Sequence, residues 1–486
     1  MHANIGPLPD GSAPVEQPPE RLISIPYLLL RATSAGGAFI MGFIQTFVFA
    51  RILTPDRFSI FIVVGGIGYT LWLTDLGLAK ILFVNLRAGH LVGRSNDKAA
   101  RHATAVILFY VLLAAGASLV CFFARIVQPS ASWRDATELA LFLLYIALNL
   151  AWFSLRTVSI SVDLFVHYEK LELVRRALII AGMLSMLAGV PFLGFLIGAN
   201  VLWGILISSA ASKLVRRGAL VAHARGFLRD LISFFRTNSQ SILRSSTGAL
   251  SGVFVATFPY YFVPMAFGLG APPIILEVTF RIFRGGSVVY AAATDLALPG
   301  QTRALAARDA PRLVRTTLLA AGLCCIPAAF ACAVLIFAGA PFFKFLLRSA
   351  ATVPPAITPI LVVLLLTNIV QMVSESFLQH TGYFRSLARV GAAVAVMMIA
   401  AAGLSVVAKF GIVGFLAAYT VAFAIGALLL AVAAIHGPIR AAAARPGETQ
   451  PWTGVFRAIR SAWPTPSAIP IRQDTARRTR QPSQSP

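Results

Sequence analysis

The sequence predicts an all-α polytopic membrane protein, with about twelve transmembrane helices in two six-helix bundles related by a parallel pseudo-two-fold repeat. Of the 486 residues, 58% are hydrophobic and only 12% are charged, whereas ordinary globular domains have about 25% charged residues. Apolar stretches recur at the length of about 20 residues that crosses a hydrocarbon core. Short strings of the first half also recur in the second half, in the same order.

The apolar stretches predict the positions of the spans in chain order. Each is bounded by polar or turn-forming residues, which is typical of a helix that leaves the bilayer. The predicted spans lie near residues 24–50, 58–84, 102–124, 136–158, 174–190, 193–213, 238–263, 273–298, 313–340, 355–379, 386–407 and 411–435.

The polar segments divide the chain into five regions. A proline-rich N-terminal tail, 1–23, is predicted to be disordered and cytoplasmic, and it precedes an N-terminal bundle at 24–213. Residues 214–237 contain GFLRDLISFF and are interpreted as an amphipathic cytoplasmic linker. The C-terminal bundle follows at 238–436, and a basic tail at 437–486 is predicted to be disordered and cytoplasmic.

The distribution of basic residues predicts the orientation. The connections and tails on the side of both termini carry 28 of the 41 Lys and Arg residues, and the opposite connections carry seven. By the positive-inside rule both termini are cytoplasmic. This placement explains the net charge of +23 as membrane topology and not as nucleic-acid binding. The outer connections are too short to hold a soluble catalytic domain.

Three pairs of similar strings support the internal repeat. Each half contains six spans, which is an even number. Both halves therefore enter the membrane from the same side and form a parallel repeat. The first pair matches Arg31 with Arg244. The pairs are LLLRATSAG at 28–36 with SILRSSTGA at 241–249, LWLTDLGL at 71–78 with YAAATDLAL at 290–298, and GFLIGA at 194–199 with GFLAAY at 414–419.

Arg31 and Arg244 are the first candidate binding residues. An arginine near the end of a span can extend its side chain to the headgroups, which is the simplest interpretation of Arg31 alone. Arg244, however, lies on a stripe of polar residues that would be unfavourable against lipid. Their correspondence in the repeat favours a shared central cavity.

The eighth predicted span carries four charged residues on one face: Glu277, Arg281, Arg284 and Asp295. Glu277 and Arg281 have the spacing of a structural ion pair, which leaves Arg284 without an obvious partner. Together with Arg31 and Arg244, the two arginines predict a cationic cavity. A guanidinium group donates two hydrogen bonds to a phosphate, so pyrophosphate is the natural counterion.

Four residues are candidates for ion coupling or gating. Glu375 lies within a span and could bind a proton or a sodium ion, but a static salt bridge with Arg156 explains it equally well. Asp75 precedes Lys80, and Asp75 and Asp295 lie near the cytoplasmic ends of their spans. A structural or gating contact is the favoured interpretation for Asp75.

Signals of catalysis are absent from the sequence. It contains neither the glycine-rich phosphate loop, nor HExxH, nor an Asp-x-Asp pair. The four cysteines lie in apolar segments without metal-ligand spacing. We therefore expect a protein that is not an enzyme and has no cofactor, apart from a coupling proton or sodium ion.

One segment of the chain reads FVFARILTPDRFSIFIVVGGIGYTLWLTDLGLAKILFVNLR. This segment resembles the opening of the Wzx-type polysaccharide flippases of the multidrug/oligosaccharidyl-lipid/polysaccharide superfamily. The resemblance rests on two local features. The first is a basic residue with a Leu-Thr-Pro turn after span one, and the second is the Asp-Leu-Gly sequence that ends span two. FSIF at 58–61 departs from the family's usual GIF-like text. The resemblance covers about residues 22–436.

The resemblance implies a flippase in the bacterial cytoplasmic membrane. Its substrate would be an oligosaccharide linked through pyrophosphate to a polyprenyl lipid, used for surface polysaccharide or lipopolysaccharide biosynthesis. The two bundles would rock about a cationic cavity in alternating access, driven by a proton or sodium gradient. Glycan polymerase and chain-length proteins would be partners, and nucleic acid would not.

Two other functions are compatible with the sequence. A drug or cation antiporter of the same fold would line its cavity with carboxylates and aromatic residues. A membrane glycan polymerase or ligase would carry catalytic groups on a long outer loop, which this chain lacks.

Overall fold

A computed structural model describes residues 25–71, 75, 78–91, 97–128, 132–222, 226–381 and 383–443. Every regular element within these ranges is helical, so the predicted all-α class is confirmed. The predicted N-terminal tail and most of the basic C-terminal tail lie outside the described residues.

Eight helices form the N-terminal half of the described chain. The second and fourth predicted spans are each divided into two helices. In the fourth, Leu148 keeps helical dihedral angles (φ −62°, ψ −16°), so α5 and α6 continue each other with little interruption. The helices are α1 (Ile25–Ile52), α2 (Pro55–Thr70), α3 (Leu78–Leu91), α4 (Asp97–Ile126), α5 (Trp133–Ala147), α6 (Asn149–Ser161), α7 (Phe165–Leu187) and α8 (Phe192–Arg216).

The C-terminal half begins inside the segment predicted as a linker. Gly226 has φ 80°, a left-handed conformation that glycine adopts without strain, and α9 starts immediately after it. The last part of the predicted linker is therefore the beginning of α9. The helices are α9 (Phe227–Phe267), α10 (Ala271–Ala306), α11 (Ala310–Leu347), α12 (Ile357–His380), α13 (Phe384–Val407) and α14 (Gly411–Ala434), followed by a π-helical turn (Ile435–Ile439) and α15 (Arg440–Ala443).

Seven helical segments of the described chain are long and apolar enough to cross a membrane. Two shorter apolar segments, Gly36–Ile52 and Gly252–Phe267, belong to α1 and α9. Helices α7 and α10, which carry clustered charges, are not among the seven. The chain is a multi-pass membrane protein. The seven segments are Asp97–Ile126, Trp133–Ser161, Phe192–Arg216, Ala310–Leu347, Ile357–His380, Arg385–Val407 and Gly411–Ala443.

The helices of each half pack mainly on one another, and a seam joins the two halves. Across the seam α1 contacts α10 and α11, α2 contacts α9 and α10, and α4 contacts α9. Aromatic rings fill the N-terminal half beside the seam: Phe61 lies 5.0 Å from both Phe142 and Phe192, measured between ring centroids. Edge-on ring contacts of this kind stabilise a core beyond the area that they bury.

Polar contacts close the seam near the α1–α2 turn. Arg51 donates to the carbonyl oxygen of Phe345 at 2.7 Å and to that of Leu346 at 3.2 Å, at the C-terminal end of α11. A cation is favourable there because the last carbonyls of a helix lack partners within it. Ser59 donates to Gly270 O at 2.9 Å and accepts from Gly270 N at 2.7 Å.

Glycine allows the close approach of α2 to α9. A Cβ atom added at Gly66 would lie 2.6 Å from the Cβ atom of Tyr260, which is closer than real Cβ contacts. The neighbouring Gly65 also faces the protein interior, but its added Cβ atom would meet Ile146 Cδ1 at 3.8 Å, an ordinary contact.

We predict that Gly66→Ala lowers the thermal stability of the purified protein, because α2 and α9 must move apart. Overpacking of this kind costs about 1–3 kcal/mol. The matched control is Gly65→Ala, which should keep or slightly raise the melting temperature because alanine favours a helix by about 0.5–1 kcal/mol over glycine. Equal melting temperatures for the two variants would contradict the close packing at Gly66.

Candidate functional site

The first charged cluster surrounds Glu277 on α10, and we call it the Glu277 set (Tyr260, Glu277, Arg281 and Arg284). Glu277 is buried, with 4% of its surface exposed. It accepts hydrogen bonds from the Tyr260 hydroxyl at 2.6 Å and from Arg281 Nε at 2.6 Å. Arg284 Nη2 donates to the same carboxylate at 3.1 Å. The predicted Glu277–Arg281 pair is therefore present.

The sequence predicted no obvious partner for Arg284, and the structure corrects this prediction. Besides its bond to Glu277, its guanidinium carbon lies 4.6 Å from the ring centroid of Tyr69 on α2 and 5.5 Å from that of Tyr260 on α9. Aromatic faces attract a guanidinium group through their quadrupole. Arg284 is thus held between α2, α9 and α10 at the seam.

Arg281 reaches across the seam to α1. Its Nη1 atom donates to the carbonyl oxygen of Gly42 and to Gln45 Oε1, the latter at 3.3 Å. An added Cβ atom at Gly42 would lie 3.5 Å from Arg281 Nη1. One guanidinium group therefore binds both the carboxylate of its own helix and the backbone of the other half.

A second charged cluster lies within the N-terminal half, and we call it the Glu172 set (Trp152, Glu172, Arg175 and Arg176). Arg175 forms a two-pronged contact with Glu172, through Nε and Nη2 at 2.7 Å each. Arg176 Nε donates to Glu172 Oε1 at 2.6 Å, and Trp152 Nε1 donates to Oε2 at 2.8 Å. Arg175 is itself only 4% exposed.

Sequence reasoning missed the Glu172 set because the predicted span at 174–190 begins after Glu172. In the structure α7 begins at Phe165, so Glu172, Arg175 and Arg176 lie on one helix. The available signal was their spacing from Glu172 by three and four residues, which places all three side chains on one helical face.

The two sets have the same charge balance. In each, a buried carboxylate is bound by two guanidinium groups and by one aromatic donor. One negative charge therefore faces two positive charges, and each set keeps a surplus of one. Both sets lie beside α1: a Cβ atom added at Gly37 would lie 3.5 Å from Arg176 Cδ, and Arg281 donates to the Gly42 carbonyl oxygen.

A cavity of about 170 Å³ lies between α1, α2, α5, α6 and α10. Aromatic and aliphatic side chains form much of its wall, and polar groups of both halves form the rest. Glu277 and Arg281 belong to this wall, so the cavity borders the Glu277 set. The polar lining consists of Gln45, Tyr69, Tyr145, Asn149, Glu277 and Arg281.

Arg156 and Glu375 make contacts within their own halves. Arg156 donates to Glu169 at 3.4 Å, and Glu169 is buried on α7. Glu375 accepts from Gln379 at 2.9 Å, one turn further along α12. The role of these two residues in ion coupling stays a prediction.

Asp75 makes local contacts of a structural kind. Its Oδ1 atom accepts from the Tyr110 hydroxyl at 2.9 Å and from the backbone N–H of Ala79 at 3.3 Å, at the start of α3. Asp295 is exposed on α10. Arg31 and Arg244 lie on α1 and α9, and their side chains lie outside what the structure describes.

Asp163, in the turn between α6 and α7, joins α3 to that turn. Arg87 Nη1 lies 2.8 Å and His90 Nε2 3.1 Å from its carboxylate. Partial burial would raise the pKa of Asp163, but the hydrogen bonds from Arg87 and His90 outweigh it and lower the pKa. The carboxylate is thus ionised at neutral pH and acts as a structural partner.

In the part of the chain described, no group of three His, Cys, Asp or Glu residues could hold a metal ion.

The comparisons with known proteins show the fold. No protein-family model and no curated protein matches the sequence. An inward-facing multidrug-resistance transporter of the MATE family, MOP superfamily, matches with a TM-score of 0.59 and 12% identity, over 85% of this chain and 98% of that one. The lipid II flippase MurJ, in an inward closed conformation, matches with a TM-score of 0.54 and 14% identity, over 89% and 97%.

A MOP-superfamily transporter from Pyrococcus furiosus Vc1 also matches, with a TM-score of 0.56 and 12% identity, over 85% of this chain and 94% of that one. The reverse polarity of the binding pocket in that transporter suggests a different function for it. This chain therefore has the fold of the MOP-superfamily transporters, which include drug transporters and a lipid flippase. The expected superfamily fold is confirmed.

We predict that Glu277→Gln destabilises the protein strongly, because Arg281 and Arg284 would lose their shared counterion at a buried position. Removing one partner of a buried ion pair costs about 3–5 kcal/mol. The control is Asp56→Asn, which makes the same chemical change at an exposed position on α2. Thermal unfolding of both purified variants measures the difference, and equal stability would show that Glu277 does not hold the arginines.

Proposed function

We propose that this protein is a flippase that moves an anionic, lipid-linked oligosaccharide across the cytoplasmic membrane of a bacterium. The observation that carries the proposal is the positive surplus of the two charged sets on either side of α1. Buried charges are costly unless they are balanced, so an excess of guanidinium groups inside the protein favours an anionic partner. A substrate that supplies a phosphate satisfies that requirement.

The substrate that fits this requirement is an oligosaccharide joined through pyrophosphate to a polyprenyl lipid. Arg281 and Arg284 are assigned to the pyrophosphate, together with Arg31 and Arg244. A guanidinium fork matches the geometry of a phosphate, which a lysine does not. The lipid tail would stay in the bilayer while the polar headgroup crosses. The lipid II flippase among the structural neighbours supports a lipid-linked substrate.

Transport by alternating access requires the seam to open and close. The contacts of Arg51 with Phe345 and of Ser59 with Gly270 join the halves in this structure. These contacts would be broken when the halves rock into the other state. Glu375 and Arg156 are proposed to couple the motion to a proton or sodium gradient, and Asp75 and Asp295 to gate it.

The cellular role that we propose is the supply of a lipid-linked glycan for surface polysaccharide or lipopolysaccharide. A glycan polymerase and a chain-length protein are the proposed partners, and both termini are placed in the cytoplasm. These assignments follow from the sequence resemblance and from the distribution of basic residues in the connections.

A drug or cation antiporter is the second candidate, because two of the neighbouring structures are multidrug transporters. A cationic substrate would need an acceptor in the cavity. Glu277 is the carboxylate in the described cavity lining, and two arginines and a tyrosine already occupy its oxygens. The charge balance therefore favours an anionic substrate.

We predict that Arg281→Gln and Arg244→Ala stop glycan export in a strain that lacks the native gene, while wild type restores it. Losing a charged hydrogen bond costs about 1.5–3 kcal/mol, so transport should fall roughly 10-fold to 100-fold. Lipid-linked oligosaccharide should accumulate on the inner side of the membrane. Surface glycan and membrane abundance of each variant are measured together.

The matched control for this experiment is Arg315→Gln, which removes one positive charge from an exposed position on α11. It should export normally. If Arg281→Gln and Arg244→Ala are as abundant as wild type and export at the same rate, the arginines do not bind the substrate. Resistance to cationic drugs that depends on the wild-type gene would then support the antiporter.

A further inference from the structure

The side chain of Gln45 on α1 is hydrogen-bonded to Arg281 in the cavity wall. Arg281 Nη1 donates to Gln45 Oε1 at 3.3 Å and also to the carbonyl oxygen of Gly42. Gln45 and Arg281 both line the cavity of about 170 Å³. Gln45 therefore offers an acceptor to the same guanidinium group that is assigned to the substrate pyrophosphate.

The cavity leaves room for a phosphate beside this contact. A cavity of about 150 Å³ holds a benzene molecule, which has more non-hydrogen atoms than a phosphate group. The Arg281 side chain is 14% exposed, and its Nη2 atom bonds to none of the described residues and is not buried. Nη2 is thus free for a ligand, whereas Nη1 is bonded to α1.

A two-pronged contact between Arg281 and a phosphate requires two neighbouring nitrogen atoms of the guanidinium group. Nε already donates to Glu277 at 2.6 Å, so Nη1 and Nη2 are the pair that remains. A phosphate that binds this pair competes with the acceptors of α1 for Nη1.

Gln45 is the weaker of the two acceptors on α1. Its bond from Nη1 is 3.3 Å long, and its side chain can rotate away, whereas the Gly42 carbonyl is part of the helix backbone. A charged phosphate oxygen is also a stronger acceptor than a neutral amide oxygen. A phosphate therefore displaces Gln45 from Arg281.

We propose that Gln45 is a positioning residue that competes with the substrate phosphate for Arg281. In the empty protein Gln45 holds Arg281 against α1, and the phosphate takes its place when the substrate binds. The inference rests on the proposed function, in which Arg281 binds pyrophosphate. It adds that substrate binding breaks one of the bonds between α1 and α10, so binding itself loosens the seam at this point.

The competition is tested by two substitutions at Gln45. Gln45→Met keeps the length of the side chain and removes the amide, and Gln45→Glu replaces the amide with a charged acceptor. Gln128→Met is the matched control, because it makes the first change at an exposed position after α4. The full-length protein in lipid nanodiscs is titrated with sodium pyrophosphate by calorimetry, with sodium chloride at equal ionic strength as the salt control.

We expect Gln45→Met to bind pyrophosphate roughly twofold to tenfold more tightly than wild type, since the anion no longer has to break a neutral hydrogen bond. Gln45→Glu should bind at least about tenfold more weakly, because its carboxylate pairs with Arg281. Gln128→Met should bind as wild type does, and Arg281→Gln should lose most of the affinity. Melting temperatures, which Gln45→Met should leave near that of wild type, show that each variant is folded.

The direction of the change in Gln45→Met decides the proposal. Weaker binding would show that the amide is itself a ligand of the anion, and unchanged binding would show that it does not compete; either result would overturn the proposal. Absence of saturable binding in wild type would overturn it as well. If Arg281→Gln stops glycan export while Gln45→Met binds pyrophosphate as wild type does, the proposed flippase stands and only the competition is lost.

Discussion

Two buried carboxylates, Glu172 and Glu277, hold the arginines around which the candidate site is built. A buried charge is costly unless it is paired and hydrogen-bonded. Each carboxylate meets this condition by binding two arginines and one aromatic donor. The same contacts hold four guanidinium groups inside the protein, with a positive surplus in each set. The rest of the candidate site follows from where that surplus lies.

Helix α1 is the element that brings the two sets together. It packs against α7 of its own half and against α10 and α11 of the other half. Arg176 and Arg281 lie beside Gly37 and Gly42 of this helix, where an added Cβ atom would make an ordinary contact at 3.5 Å. Any change in the seam between the halves therefore changes the surroundings of Arg281, which binds the Gly42 carbonyl directly. In the proposed mechanism, anion binding at Arg281 and movement of the halves are connected through this contact.

Part of the candidate site could be predicted because it depends on helical spacing. Glu277 and Arg281 are four residues apart, and the structure pairs them. The partners of Arg284 could not be found in this way, because Tyr69 and Tyr260 come from α2 and α9. The Glu172 set has favourable spacing too, but its helix was predicted to begin near residue 174, which left Glu172 outside it, whereas α7 begins at Phe165.

The sequence by itself determined the membrane class, the all-α fold and the approximate positions of the helices. These properties depend on local composition and on periodicity along the chain, which a sequence displays directly. Only the tertiary structure decided which carboxylate each arginine binds and that Arg281 crosses to Gly42. Those contacts join residues from different helices, and the packing that brings them together depends on side-chain shapes across the whole fold.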